Sequence, residues 1–119
     1  MNFKVYRCNE CGKVVPVLDG SAPKEGMVEL RVNVTDGALE KHVPVVSQEG
    51  RNVHVEVGSV LHPMLKEHYI EWVVLETNLR NVLVNLVPGQ EPKADFVLEE
   101  GEEVLATYEY CNLHGVWKK

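Results

Sequence analysis

Short runs in which apolar and polar residues alternate, separated by turn signals, recur along this 119-residue chain and restrict the folds open to it. In the clearest run, Val53, Val55 and Val57 alternate with polar residues before Gly58. A period of two residues indicates a strand with one buried face. The predicted strands are residues 28–34, 41–46, 53–57, 68–77, 82–87, 94–98 and 104–111. About seven short strands without helical periodicity predict an all-β chain, an immunoglobulin-like antiparallel β-sandwich with a short N-terminal arm.

Several segments carry more specific expectations. Residues 68–77 are rich in aromatic and branched side chains, which is typical of a strand buried on both faces. Pro44 indicates a sheet edge or a strand end, because proline cannot donate to a ladder. Residues 61–67 are expected to form a loop or one helical turn, and the acidic run 99–103 a solvated turn.

Composition sets limits on partners and compartment. The chain is 45% apolar and 25% charged, as in ordinary soluble globular proteins, and its length fits one domain. It has no apolar run that could span a membrane and no apolar signal core at its start, so we expect a cytoplasmic protein that binds no membrane. Its net charge of −6 argues against nucleic acid as a partner.

The N-terminal segment contains two of the four ligands that a zinc or iron knuckle needs. Cys8 and Cys11 precede Gly12 in a Cys-x-x-Cys-Gly turn, which points two sulfurs at one spot. A tetrahedral site needs two further ligands, and no other cysteine or histidine appears before His42. Three cysteines cannot form a closed disulfide framework, and a reducing compartment favours metal or redox roles for them.

The other metal-binding side chains lie at the ends of predicted strands or between them. Cys111 and His114 form a Cys-x-x-His pair after the last predicted strand, whereas His54 falls on the polar side of a half-buried strand and is assigned to solvent. Each histidine alone is more often a satisfied polar residue than a ligand. Together, His42, His62, His68, Cys111 and His114 predict one metal site.

The donor set narrows the choice of metal. Structural zinc takes four ligands, usually rich in cysteine, and blue copper prefers two histidines and one cysteine. Five nitrogen and sulfur donors leave one position open on an octahedral ion, which suits a redox-active iron that binds a small molecule.

Four segments of this chain resemble the superoxide reductases, including desulfoferrodoxins and neelaredoxins. They are residues 40–45 (EKHVPV), 62–64 (HPM), 68–72 (HYIEW) and 110–117 (YCNLHGVW). Residues 5–12 (VYRCNECG) also resemble the start of the small desulforedoxin-like domain of desulfoferrodoxins. The resemblance implies a degenerate desulforedoxin-like segment at residues 1–26 and an iron-binding β-sandwich domain at 27–119.

The resemblance also implies roles for individual residues. His42, His62, His68 and His114 would lie in the equatorial plane of one mononuclear iron, which alternates between Fe2+ and Fe3+, with Cys111 as its axial ligand. Glu40 matches the family's glutamate that occupies the sixth position of the ferric ion, and Lys41 matches the lysine beside the open site. The implied reaction is one-electron reduction of superoxide to hydrogen peroxide, with rubredoxin or a similar protein as the electron donor.

The chain departs from the pattern at the second iron site. Ala22 and Pro23 stand where the family has an adjacent cysteine pair, so the second iron site, which takes four cysteines, is expected to be absent. Cys8 and Cys11 are then a relic, a disulfide or half of a site shared by two chains. A homodimer is expected, with a homotetramer as the alternative.

Two other readings remain open. One is a non-enzymatic metal-binding or redox-sensing protein that uses Cys8, Cys11 and Cys111. The other is an immunoglobulin-like interaction module in which the histidines are incidental. The aromatic residues Trp72 and Trp117, together with Tyr110, either surround the site or are plain core residues.

Overall fold

The computed structural model describes residues 3–21, 25–36 and 41–119, and within these ranges it contains ten strands and no helix. The strands are β1 (Lys4–Cys8), β2 (Val14–Val17), β3 (Met27–Glu29), β4 (Val45–Glu49), β5 (Asn52–Glu56), β6 (Ile70–Thr77), β7 (Asn81–Asn85), β8 (Lys93–Val97), β9 (Val104–Cys111) and β10 (Gly115–Lys118). Accordingly, no helix in the described ranges is long and apolar enough to cross a membrane.

The strands form three sheets that are stacked as layers. The central sheet has the order β10-β9-β6-β7, and the second sheet has the order β4-β5-β8. The N-terminal sheet has the order β2-β1-β3. All pairings between these strands are antiparallel. The predicted antiparallel all-β sandwich is therefore confirmed.

One hydrophobic core lies between the central sheet and the β4-β5-β8 sheet. Val53, Val55 and Val57 point into it, as their alternation predicted, and are at most 1% exposed. They pack with Val73 and Leu75 of β6 on the facing sheet. Cys111, at the end of β9, belongs to the same core, so its thiol is shielded from water.

A second core lies on the other face of the central sheet. Phe3 and Val5 of the N-terminal segment cover Trp72, Val74 and Tyr108. The Phe3 ring meets the Trp72 ring edge-on at 5.9 Å between centroids, an arrangement that aromatic pairs favour. Strand β6 is therefore buried on both faces, as predicted for residues 68–77.

Five of the seven strand predictions are confirmed, and the other two have different bounds. The predicted strand 41–46 is shifted to β4 (Val45–Glu49), because the N–H groups of His42 and Val43 bind Asp36 and Pro44 has no N–H to donate to a ladder. The predicted strand 28–34 is shorter, because β3 ends at Glu29 and the chain leaves β1 to meet β10. Asn33 forms a parallel bridge there with Trp117, and its N–H donates to the Val116 carbonyl at 2.9 Å. Strands β1 and β2 were not predicted, nor was β10, whose four residues follow a turn at Gly115 (φ 89°).

Two predictions about loops and edges have opposite outcomes. Pro44 precedes β4, which is an edge strand, as predicted. The prediction that residues 99–103 form a solvated turn is wrong for Glu102, which is only 7% exposed. Its carboxylate accepts hydrogen bonds from the Thr77 hydroxyl (2.6 Å) and the Arg80 guanidinium (2.9 Å), and these partners allow a charge to be buried.

Candidate metal centre

Four histidines and one cysteine that are far apart in the sequence come together at one end of the sandwich. They are His42, His62, His68, Cys111 and His114, and their donor atoms all lie within 4.8 Å of one another. Three of them are buried, whereas His68 is half-buried and His114 is exposed. Within the described part of the chain, this is the one group of at least three His, Cys, Asp or Glu side chains arranged to share an ion.

The four imidazole rings form a closed cycle. His42 lies next to His62 and His114, with ring centroids at 4.8 and 5.0 Å. His68 completes the cycle at 4.7 Å from His62 and 5.1 Å from His114. The four nearly equal spacings give a square of imidazoles, which can surround an ion with four nitrogens.

The donor spacing fits a single ion. A metal bound at about 2–2.4 Å separates adjacent donors by about 3 Å and opposite donors by about 4–5 Å. The Nε2 atoms of His42 and His62 are 3.2 Å apart, and Cys111 Sγ lies 3.7 Å from His114 Nδ1. These two distances suit adjacent ligands, and the 4.8 Å limit of the whole group suits opposite ones.

Three connections bring the five side chains together. His42 lies just before β4, His62 and His68 lie in the β5–β6 loop, and His114 lies in the turn after Cys111 ends β9. In the β5–β6 loop, the N–H of His62 donates to the Val57 carbonyl at 2.7 Å. Reciprocal backbone hydrogen bonds between Leu65 and His68 close a small turn. The loop is therefore held at both of its histidines.

Hydrogen bonding sets the orientation of the His62 ring. Its Nδ1 lies 2.7 Å from the Pro63 carbonyl, which can only accept a hydrogen bond, so Nδ1 carries the proton. The lone pair is then on Nε2, the atom that faces His42. Metal-bound histidines commonly have this arrangement.

Comparison with known proteins agrees with this geometry. The Desulfoferrodoxin family model matches residues 33–119. The chain belongs to the desulfoferrodoxin family. It is 43% identical to a desulfoferrodoxin of Syntrophotalea carbinolica over 97% of this chain and 94% of that protein. It is 34% identical to a superoxide reductase of Pyrococcus horikoshii, over 77% of this chain and 95% of that protein.

Solved structures are similar to this desulfoferrodoxin-family chain along its length. The superoxide reductase of Treponema pallidum superimposes with a TM-score of 0.82 at 37% identity, over 99% of this chain and 98% of that chain. A Giardia intestinalis superoxide reductase, described as 1Fe-SOR, covers 67% of this chain and 95% of its own, with a TM-score of 0.58 and 31% identity.

The structure describes one of the two residues that were predicted beside the site, Lys41. Lys41 is half-buried, and its backbone passes close to Gly58, where an added Cβ would lie 2.6 Å from the Lys41 carbonyl oxygen. Only glycine permits this approach, so Gly58 helps to position the segment that carries His42. Glu40 lies outside the described residues.

The histidine that was assigned to solvent stays outside the cluster. His54 is half-exposed on the outer face of β5, between Asp95 (2.6 Å) and Glu56 (2.8 Å). Hydrogen bonding to Asp95, followed by that to Glu56, raises the pKa of its imidazole. Cys8 and Cys11 are likewise outside the cluster, and their thiols are free.

Sequence reasoning missed two residues that support the centre. Asp36 Oδ1 accepts the backbone N–H groups of His42 (2.6 Å) and Val43 (2.7 Å). Asn112 accepts the N–H of Tyr69 through Oδ1 at 3.0 Å and donates from Nδ2 to the Glu67 carbonyl, also at 3.0 Å. The residue types did indicate this role, because aspartate and asparagine beside turns commonly bind nearby backbone groups.

Three aromatic residues were expected either to surround the site or to be plain core residues, and the structure shows both cases. Trp117 stacks on His42, with centroids 4.6 Å apart and planes at 12°, and its Nε1 donates to the His114 carbonyl at 3.1 Å. Trp72 instead belongs to the second hydrophobic core, and Tyr110 packs against that core. Only Trp117 therefore braces the cluster directly.

Proposed function

We propose that this chain is a superoxide reductase, which converts superoxide to hydrogen peroxide by adding one electron and two protons. The observation that carries this proposal is the square of four imidazoles with one buried cysteine sulfur in a member of the desulfoferrodoxin family. Its solved relatives with this fold include the superoxide reductase of Treponema pallidum.

The proposed cofactor is one iron ion per chain. It would be held by four imidazole nitrogens and one sulfur, which come from His42, His62, His68, His114 and Cys111. Five donors of this kind exceed the four of structural zinc and leave a sixth position for a small molecule. When bound, iron supplies the single electron by alternating between Fe2+ and Fe3+.

The protein's own part is to shield the cysteine sulfur and to leave the histidines accessible. Cys111 is 0% exposed, so its sulfur is withheld from solvent and competing oxidants. His114 is exposed and His68 half-exposed, which leaves a path from solvent to the cluster. Superoxide would approach along this path, and protons would come from water there.

Lys41 would supply local positive potential for an anionic substrate. The net charge of −6 repels superoxide at long range, so attraction has to be local. We expect Lys41→Ala to slow superoxide capture about tenfold and to flatten its salt dependence, whereas Lys41→Arg retains both. Pulse radiolysis at several ionic strengths measures this, with iron content as the control. An unchanged capture rate in the alanine variant would remove Lys41 from the mechanism.

Glu40 is proposed to be a further ligand, through its carboxylate, of the ion in its oxidised form. Glu40→Ala should leave the capture rate nearly unchanged and shift the absorption spectrum of the oxidised protein. Identical oxidised spectra for the variant and the parent protein would discard this role.

The experiment that tests the function combines metal content with turnover. We expect one iron per chain, an absorption band from the Cys111 thiolate on oxidation, and one peroxide released for each superoxide consumed. His62→Ala should lose the iron and the activity, whereas His54→Ala, outside the cluster, should keep both. Zinc alone, or activity that survives loss of the cluster, would contradict the proposal.

The remaining assignments extend this proposal. The electron donor would be rubredoxin or a similar small redox protein, and the chain would act as a homodimer in the cytoplasm. Residues 1–26 would be a desulforedoxin-like segment without its own four-cysteine iron site, and residues 27–119 the catalytic domain. Strand β3 (Met27–Glu29) pairs with β1, so the N-terminal sheet extends across this proposed boundary.

A further inference from the structure

The Cys8–Cys11 segment is a compact turn that holds two thiols side by side. The Gly12 N–H donates to the Cys8 carbonyl at 2.8 Å, and the Cys8 N–H donates to the Lys13 carbonyl at 2.9 Å. Both thiols are free, with Cys8 half-buried and Cys11 exposed. The turn closed by these two hydrogen bonds carries both cysteines, so their thiols belong to one short Cys-x-x-Cys segment.

The environment of Cys8 favours its thiolate. Hydrogen bonds from the backbone N–H and the thiol of Cys11, and from the N–H of Glu10, hold the pKa of the Cys8 thiol below its usual value. N–H donors of this kind stabilise the first sulfur of Cys-x-x-Cys motifs, and the thiolate is the form that reacts.

A small neutral oxidant can reach the Cys8 sulfur. Cys8 lines a surface pocket of about 260 Å³ together with Glu10, Glu25, Gly26 and Met27. The two carboxylates repel anions such as superoxide, but they exert no net force on uncharged hydrogen peroxide. The pocket therefore selects peroxide over superoxide.

The geometry also favours thiol chemistry over metal binding at this turn. In the described part of the chain, neither cysteine belongs to a group of three or more His, Cys, Asp or Glu side chains arranged to share an ion. Two thiols alone are a weak metal site, whereas two free thiols in one Cys-x-x-Cys turn can form a disulfide.

We infer that Cys8 and Cys11 are a redox-active dithiol that reduces hydrogen peroxide to water and closes to a disulfide. The source of the peroxide rests on the proposed function, because superoxide reduction releases one peroxide in each turnover. The chain would then consume part of its own product at a second site.

The reaction balances in two steps. The Cys8 sulfur attacks one peroxide oxygen, so an S–O bond forms, the O–O bond breaks, and the departing hydroxide takes a proton to become water. The Cys11 sulfur then attacks the Cys8 sulfenic sulfur, so the S–S bond forms and the second hydroxide leaves as water with the Cys11 proton. Two thiols lose two electrons in total, and one peroxide gains them.

The test adds hydrogen peroxide to the reduced, iron-loaded full chain. After the remaining thiols are alkylated, mass spectrometry of the peptide with Cys8 and Cys11 should show the loss of two hydrogens, at one peroxide per disulfide. Dithiothreitol should restore both thiols. The zinc-loaded chain, which has no redox-active ion, should give the same result. Two alkylated cysteines after peroxide treatment, or disulfides only between chains, would overturn the inference.

Matched variants distinguish the roles of the two thiols. Cys11→Ser should stop at a sulfenic acid on Cys8 that dimedone traps. Cys8→Ser should react with peroxide about tenfold more slowly, because the remaining thiol loses its reactive neighbour. Equal rates for Cys8→Ser and the parent chain would also overturn the inference.

A superoxide source distinguishes failure of this inference from failure of the proposed function. In the iron-loaded chain, superoxide should produce the disulfide, and catalase should prevent it. The double variant Cys8→Ser, Cys11→Ser should keep its superoxide reductase activity. Activity without disulfide would refute the dithiol alone. Because superoxide dismutes unaided to half as much peroxide, an equal disulfide yield from superoxide in the iron-loaded and zinc-loaded chains would refute the proposed function alone.

Discussion

Trp117 contacts two of the four histidines of the candidate metal centre through two different interactions. Its ring stacks on His42 at 4.6 Å, and its indole N–H binds the carbonyl of His114. It therefore links a residue before β4 to the turn between β9 and β10. Residues that orient metal ligands in this way commonly change metal affinity 10- to 100-fold when they are replaced, as a rough guide.

We expect Trp117→Leu to weaken iron binding about tenfold, because it removes both the stacking on His42 and the hydrogen bond to His114. Trp117→Phe retains an aromatic ring, so its iron affinity should lie between those of the leucine variant and the parent chain. Competition with a chelator measures the iron affinity of each protein. Equal affinities for the leucine variant and the parent chain would show that the contact has no positioning role.

Glu102 shows at the residue scale how a buried charge contributes to stability. Arg80, followed by Thr77, holds the pKa of its carboxyl at about 2, below the ordinary value of 4.5. Since this pKa is lower in the folded chain, the stabilisation is present above about pH 4.5 and disappears as the pH falls towards 2.

We expect Glu102→Gln to lower the free energy of unfolding at pH 7 by about 2 kcal/mol, a magnitude typical of hydrogen bonds to a charged group. The difference between the two proteins should shrink between about pH 5 and pH 2. Urea unfolding over this range measures it, and Glu100→Gln in the exposed turn is the control. A difference that stays constant with pH would rule out the charged pair as its origin.

At the scale of elements, the centre is assembled from connections between strands. Asn112, in the β9–β10 turn, binds backbone groups of Tyr69 and Glu67 on either side of His68. Its own N–H also donates to the Tyr69 carbonyl at 3.2 Å. One side chain thus couples the turn that carries Cys111 and His114 to the loop that carries His68.

We expect Asn112→Ala to uncouple these two connections and to reduce iron affinity about tenfold. Asn112→Asp should lose less iron affinity, because it keeps the oxygen that accepts the Tyr69 N–H. The thermal stability of the metal-free variants should change little, since the turn lies outside both hydrophobic cores. A large loss of metal-free stability with unchanged iron affinity would assign Asn112 a purely structural role.

At the scale of the whole molecule, the metal centre would cross-link distant parts of the chain. Cys111 extends from the central sheet, His42 leads into the second sheet, and His62 and His68 lie between the two. A bound ion would therefore oppose separation of the sheets, which is a motion that unfolding requires.

We expect removal of the metal by a chelator to lower the midpoint of thermal unfolding by about 15 °C, because a ligand at 1,000 times its Kd contributes about 4 kcal/mol. Restoring iron or zinc should reverse the change, as differential scanning calorimetry can show. Cys111→Ser should respond much less to added metal. Identical midpoints with and without metal would contradict a cross-linking role for the centre.

The local features of this protein follow from its amino-acid sequence alone. Alternation of apolar and polar residues predicted β5 and β8, and the dense apolar content of residues 68–77 predicted the doubly buried β6. These features can be predicted from the sequence because a strand places successive side chains on opposite faces, so the pattern depends only on near neighbours. The five candidate ligands were predicted from residue type, position near strand ends and resemblance to a family.

Contacts between distant residues depend instead on how the strands pack. The order of the histidines around the square, the stacking of Trp117 on His42 and the contact of Asp36 with the His42 backbone all join segments that the sequence keeps apart. Strands β1, β2 and β10 were not predicted, because short strands acquire stability from pairing and from the faces they cover. Burial of Glu102 was missed because its partners, Thr77 at the end of β6 and Arg80 in the β6–β7 connection, are distant in the sequence.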